Sequence, residues 1–303
     1  MGVKLTGTQS EDDAVLLLQK NTDTLLENVA EQINRRAFDS NNHQLLKQLV
    51  ECLGDSRGTV RLRCAQTLAE IGKPTIPFLA EALNHHQNVV VRRAAAKTLT
   101  LIADPATIPD LIHALLNDED TVVKGSSVGG LARMGETAVP VLLDILTSKE
   151  YPESTKGHAA WALAFIGAEA KEHLYREISS ESVEVRCAVV GAITKVAEEQ
   201  QEETAFKLLV NALHDLNESV RCEAASALGN LAYKPAIPNL VELLHYPDWE
   251  SRKAAALALM KIGDCVALEP LQAALTQETE PGVLTIINLA ISQIEKNSGE
   301  DDW

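Results

Sequence analysis

The sequence predicts an all-α protein, an alpha-alpha superhelix in which pairs of helices stack into a solenoid. Three observations carry that prediction. Hydrophobic residues make up 46% of the chain while aromatics make up only 4%, a balance that suits helices packed closely through Ala and Leu. A basic residue with a leucine seven positions later recurs along the chain. A second apolar segment with an early proline recurs between those motifs.

In order, residues 1–22 read as an N-terminal segment, and a helix is expected from about Asp23 to Phe38. HQLLKQLVECL then forms, with that helix, the N-terminal cap. The repeats begin with VRLRCAQTLAEIG at Val60 and continue with VRRAAAKTLTLIA at Val91, VKGSSVGGLARMG at Val123 and TKGHAAWALAFIG at Thr155. They go on through VRCAVVGAITKVA at Val185, VRCEAASALGNLA at Val220 and SRKAAALALMKIG at Ser251. VLTIINLAISQIE at Val283 keeps the apolar pattern without the Arg. The basic anchors fall at 61, 92, 124, 156, 186, 221 and 252, in steps of 31, 32, 32, 30, 35 and 31.

Between them lie TIPFLAEAL, TIPDLIHAL, AVPVLLDIL and AIPNLVELL. Proline suits a helix's first turn, where its missing N–H leaves no bond unmade. Each unit is therefore a helix A, a turn, and a helix B opened by the anchor. Such a pair cannot bury its apolar face alone, so neighbours stack. The expectation is one domain over residues 23–296 and a disordered tail over 297–303.

The V-R-x-x-A-A-x-x-L-x-x-I-G pattern resembles the short HEAT-like repeats of the cyanobacterial phycobilisome-lyase family, from about residue 43 onward. The resemblance implies a right-handed superhelix whose B helices line the concave side. Counted from the anchor, positions +3, +4, +7 and +10 are apolar or small and form the core, as Cys64, Ala65, Leu68 and Ile71 do in one repeat. Positions +1, +5 and +9 form the open stripe.

In the middle repeats that stripe carries Gly125, Gly129, Gly157, Gly191, Ser226, Cys187 and Cys222 around Trp161 and Phe165. Arg93, Lys97, Arg133, Lys195, Lys253 and Lys261 flank them. Two readings stand for the rings: packing that fills the gap left by glycines, or the floor of a ligand cavity. Each glycine inside a helix costs about 1 kcal/mol against alanine, so the repeated choice points to close approach by a backbone or a ligand. Cys187 and Cys222 read either as small hydrophobes or as thiols whose basic neighbours favour thiolate. Cys64 belongs to the core. Trp249 either plugs a repeat interface or makes a second contact beside Tyr246.

E/F-type lyases, which the chain resembles, attach linear tetrapyrroles to cysteines of phycobiliproteins. On that resemblance the substrate is a bilin, phycocyanobilin or phycoerythrobilin, with no permanently bound cofactor. The acceptor is a phycobiliprotein subunit, with a second lyase subunit as a further partner. The rings would stack on Trp161 and Phe165 while Arg133 and Lys195 pair with the propionates. His158 is the candidate proton donor, and Arg93, Lys97 and Trp249 are candidate partner contacts. The competing reading is a non-catalytic scaffold, in phycobilisome assembly or disassembly or beside iron–sulfur assembly, with the rings as interface anchors.

Several classes fall away. A formal net charge of −16 repels nucleic acid. Five cysteines without C-x-x-C spacing argue against zinc and redox dithiols and for a reducing compartment. The N-terminus lacks a signal-peptide layout, and no apolar run approaches the ~18 residues of a membrane span, so a cytoplasmic protein is expected. Deoxyhypusine hydroxylase, built from similar repeats, holds two irons through His-Glu pairs near the starts of B helices. The chain has no His-Glu dipeptide, and no metal site is expected.

Overall fold

A computed structural model describes residues 7–300. Seventeen α-helices carry the fold of the described residues, and no strand occurs among them. The chain divides into two compact units, one ending at Ala138 and the other starting at Val139. The first holds α1 (Gly7–Asn34), α2 (His43–Glu51), α3 (Gly58–Ile71), α4 (Ile76–His85), α5 (Val89–Ile102), α6 (Ile108–Asn117) and α7 (Thr121–Arg133). The second holds α8 (Val139–Thr147), α9 (Glu153–Ile166), α10 (Lys171–Glu177), α11 (Val183–Gln200), α12 (Glu203–Ala212), α13 (Glu218–Asn230), α14 (Ile237–Leu243), α15 (Trp249–Ile262), α16 (Leu268–Gln277) and α17 (Pro281–Glu300).

Even-numbered helices from α2 onward are the A helices, and odd-numbered ones from α3 onward are the B helices. The B helices pack on one another in sequence, α3 on α5 and α5 on α7, then α9 through α17. The expected +3, +4 and +7 columns are largely buried, including Cys64, Ala65 and Leu68, then Ala95, Ala96 and Leu99, and Ala224, Ala225 and Leu228, whereas Ile71 at +10 and Ala160 at +4 are half-buried. Small residues dominate those columns, so the B helices approach closely. The motif's threonine also finds a use. Thr75, fully buried, donates its hydroxyl to the carbonyls of Leu68 and Gly72, and Thr107 donates to that of Asp104.

Both ends differ from expectation. Helix α1 starts at Gly7 rather than near Asp23, because neither Gly nor Pro interrupts the chain from Thr8 to Asp39. It stops at Asn34, before Phe38, where Arg36 turns to a left-handed φ of 55°. Leu16, Leu17 and Leu18 of α1 remain 62%, 61% and 67% exposed, so this stretch meets little of its own unit. At the other end α17 continues through Glu300, so 297–300 are helical where a disordered tail was expected. Residues 301–303 and 1–6 lie outside the described residues.

Four of the anchor arginines tie their repeat to the following one. Arg92 forks onto Asp118, Arg186 onto Asp215, and Arg252 onto Glu278. Each also donates to loop carbonyls five and six residues upstream of itself, as Arg252 does to Pro247 and Tyr246. Arg221 instead reaches Ser251 and Asp248 and lies over the Tyr246 ring. Tyr246 is thereby a structural residue.

The Arg252 pair has a measurable consequence. Glu278 is 4% exposed at its side chain, and the Arg252 hydrogen bond lowers its pKa from 4.5 to about 2. A lowered carboxylate pKa contributes stability that is present above the unfolded value near 4.5 and lost as pH falls toward 2. Glu278→Gln should therefore destabilise the protein at pH 7 by about 2–3 kcal/mol. In thermal melts the gap from wild type should narrow as pH drops from 5 to 3. A gap that holds constant would contradict the pairing.

Candidate functional site

The +1, +5, +9 stripe of the B helices faces solvent, and it separates by unit. In the second unit Trp161 and Phe165 on α9 are 52% and 62% exposed, with their rings stacked at 5.5 Å and 30°. Exposure of that extent excludes the reading in which they fill a gap between helices. A cavity of about 620 Å³ opens beside Trp161, lined from α9 by Glu153, Lys156, Gly157, Ala160 and Ala164. Val183, Glu184, Cys187 and Gly191 line it from α11, and Ser219 and Glu223 from α13. That volume suits a small-molecule ligand.

The glycines fall into two kinds. A Cβ at Gly125, Gly129 or Gly157 would meet nothing within 4 Å, and one at Gly191 would meet only the Glu223 carboxylate, at 3.6 Å. No neighbouring backbone requires them to be glycine, so their effect is to leave the stripe open. At Gly229 a Cβ would stand 2.8 Å from the Cα of Ala258, because α13 and α15 touch there. At Gly130 it would meet the Leu111 side chain at 2.9 Å.

The electrostatics differ from the expected basic rim. Among the cavity's lining residues Lys156 is the single cation, against Glu153, Glu184 and Glu223. Lys156 is 12% exposed and sits 3.5 Å from Glu153. Lys195 does not line the cavity and is paired with Glu198 on its own helix. Lys261 donates to Asn230, and Lys253 lies over the Trp249 ring at 5.8 Å. Trp249, 43% exposed, is a surface residue rather than a plug. His158 is half-buried and is not among the residues lining the cavity.

Glu223 escaped notice in the sequence because it occupies +2, beside the stripe. Glu223 is exposed at the cavity mouth, no group of the described residues bonds its carboxyl, and partial desolvation by the surrounding protein shifts its pKa upward. The nearby thiols are not activated either. Burial first, then the Glu223 charge, push Cys187 up to about 11. Burial and Asp248 also raise Cys222, which does not line the cavity. Arg186 does pull the Cys187 thiol down, but burial and the Glu223 charge outweigh it. At pH 8, alkylation followed by mass spectrometry should label exposed Cys265 first, Cys187 and Cys222 slowly, and buried Cys64 last. Early labelling of Cys187 would contradict this order.

The first unit carries a separate cavity of about 810 Å³ on α3, α5 and α7, with Leu62, Leu101 and Val122 among its apolar lining and Arg61, Arg93 and Lys97 as its cations. Gly129 lines it, while Gly125 and Arg133 do not. Arg93, expected as a partner contact, is engaged in a fork onto Asp120, the N-cap of α7. Arg61 donates to the carbonyls of Asp55 and Ser56. Lys97 is exposed without a partner among the described residues. Those residues bring together no set of three or more His, Cys, Asp or Glu able to hold a metal, and none of their helices is long and apolar enough to cross a membrane.

Comparison with known proteins adds a lineage to this geometry. The family described as HEAT repeats matches residues 45–132, 76–164, 108–186, 172–245 and 206–292. The chain is 34% identical over 297 residues to the bilin biosynthesis protein MpeU of Synechococcus sp. (strain WH8020), covering 97% of this chain and 100% of that protein. It is 30% identical over 165 residues to the bilin biosynthesis protein PecE of Nostoc sp. (strain PCC 7120), covering 51% of this chain and 63% of PecE. Among solved structures, the complex of CpcE and CpcF of phycocyanin lyase from Nostoc sp. PCC7120 aligns with 82% of this chain and 94% of that one, at 20% identity and a TM-score of 0.33.

Proposed function

We propose that this chain, which belongs to the HEAT-repeat family of the E/F-type lyases and of the bilin biosynthesis proteins MpeU and PecE, binds a linear tetrapyrrole at the second-unit cavity and presents it to a cysteine of a phycobiliprotein subunit. The observation that carries this reading is the exposed Trp161–Phe165 pair beside a cavity kept open by Gly157 and Gly191. Conjugated rings stack on such a pair. In thiol addition, the acceptor's sulfur bonds the ethylidene carbon and one proton is delivered to the neighbouring carbon. Orientation of the bilin against the incoming thiol does most of that work.

The nucleophile belongs to the acceptor, which agrees with the unactivated thiols of Cys187 and Cys222. Lys156 is the cation in reach of one propionate, and the three glutamates turn the other outward. Lys97 and Trp249, exposed and away from this cavity, remain contacts for the acceptor subunit. The exposed leucines of α1 offer surface to a second lyase subunit.

The test is an absorbance titration of the purified protein with phycocyanobilin and phycoerythrobilin. A sharpened, red-shifted band that saturates supports the reading. A free-bilin spectrum, unchanged by protein, moves the function to the protein-binding scaffold.

A further inference from the structure

Two cysteines of the first unit meet where α2 gives way to α3, away from both cavities described above. Cys52 opens the 3-10 turn Cys52–Gly54 that follows α2, and Cys64 lies midway along α3. The Cys64 thiol donates to the Cys52 carbonyl at 3.5 Å, and the two thiols also bond each other. Cys52 in turn donates to the Thr22 hydroxyl of α1 at 4.0 Å. The two stand 12 residues apart, a spacing that carries no dithiol signature in the sequence.

Their access to solvent is unequal. Cys64 is fully buried, whereas Cys52 is half-buried and lines a cavity of about 640 Å³ together with Val15, Leu18 and Thr22 of α1. That volume lies within the range of small-molecule pockets. A reagent entering it meets the Cys52 sulfur first. The bond to Cys64 lowers the pKa of Cys52, outweighing burial and the charges of Asp55 and Glu51, and the same bond raises that of Cys64. Thiolate character is therefore greater on the sulfur that a reagent can reach.

We infer that Cys52 and Cys64 are a reversible disulfide site, in which Cys52 attacks a small-molecule disulfide held in this cavity and Cys64 resolves the product. In the first exchange the Cys52 sulfur bonds one sulfur of the reagent, and the reagent's own S–S bond breaks to release one thiol. In the second, Cys64 bonds the Cys52 sulfur and expels the other thiol. The two protein thiols are oxidised, the reagent gains two electrons, and their two protons leave on the two released thiols. The loop so closed carries Asp55 and Arg57, and Arg57 donates to Asp23 and to the Gln19 carbonyl of α1. Oxidation thus fixes the seat of the N-terminal helix. This site is separate from the bilin cavity and stands or falls without it.

The experiment treats the reduced full chain with oxidised glutathione, quenches with acid, alkylates the remaining thiols and maps peptides by mass spectrometry, with Cys64→Ala and Cys52→Ser beside wild type. Wild type should lose two of its five alkylatable thiols, the tryptic peptide spanning 48–57 appearing joined to the one that starts at residue 64, and dithiothreitol should restore both. Cys64→Ala should stop at glutathione attached to Cys52, and Cys52→Ser should leave Cys64 unmodified. Circular dichroism melts certify that the variants fold, and the wild-type map decides alone if one does not. Glutathione retained on Cys52 of wild type with Cys64 free overturns the inference. So does a wild type in which both thiols remain alkylatable after Cys265 has reacted.

Discussion

Removing the two exposed rings, Trp161→Ala with Phe165→Ala, should weaken phycocyanobilin binding by about 2–3 kcal/mol, roughly 30- to 150-fold in Kd. The estimate follows from their position. Stacked on each other at 5.5 Å and largely open to water, the rings contribute little to the core, so their loss should leave the melting temperature within a degree or two of wild type. Absorbance titration of the double variant measures the first quantity and circular dichroism the second. A variant that binds bilin as wild type does would return these rings to the role of partner contacts.

The second large effect is on stability and has two signs. Gly229→Ala places a Cβ 2.8 Å from the Cα of Ala258, and backbone cannot swing aside as a side chain can. The overpacking should outweigh the gain in helix propensity and cost about 1–2 kcal/mol net, a fall of roughly 3–6 °C in melting temperature. Gly157→Ala meets open space and should stabilise by about 1 kcal/mol, while narrowing the cavity mouth and weakening bilin binding. That pairing of a stabilising change with a functional loss is what an open-space glycine kept for a ligand predicts. If Gly157→Ala raises stability and leaves bilin binding intact, the glycine has another cause.

Much of this architecture was legible because a repeat states its own periodicity. The Val-Arg anchors fix where each B helix starts, and helical spacing then separates buried Ala and Leu columns from an exposed stripe, as the structure has them at Leu68, Leu99 and Leu228. The N-terminal helix was less legible. Asp23 looked like a start, yet only tertiary contact decides how far an uninterrupted helix extends, and on the described side chains of α1 the buried hydrophobic residues are Leu26 and Val29.

The site was legible as a stripe and not as a cavity. Sequence treats Gly157 and Gly229 alike, whereas what separates them is the distance to the next helix. Counting basic residues on the stripe also misled. Arg93 and Lys195 have acidic partners that lie off the stripe, and Glu223 and Glu184 enter the cavity from positions beside it. The acids that receive the anchor arginines were hidden for a related reason, since each lies more than twenty residues downstream, across an intervening A helix.

The most direct measurement is a crystal structure of the protein with phycocyanobilin bound. The account predicts the tetrapyrrole against Trp161 and Phe165, with one propionate at Lys156 and the other turned outward from Glu153, Glu184 and Glu223. A bilin seated instead on Leu62 and Leu101 of the first unit, with its carboxylates on Arg61 and Lys97, would contradict it.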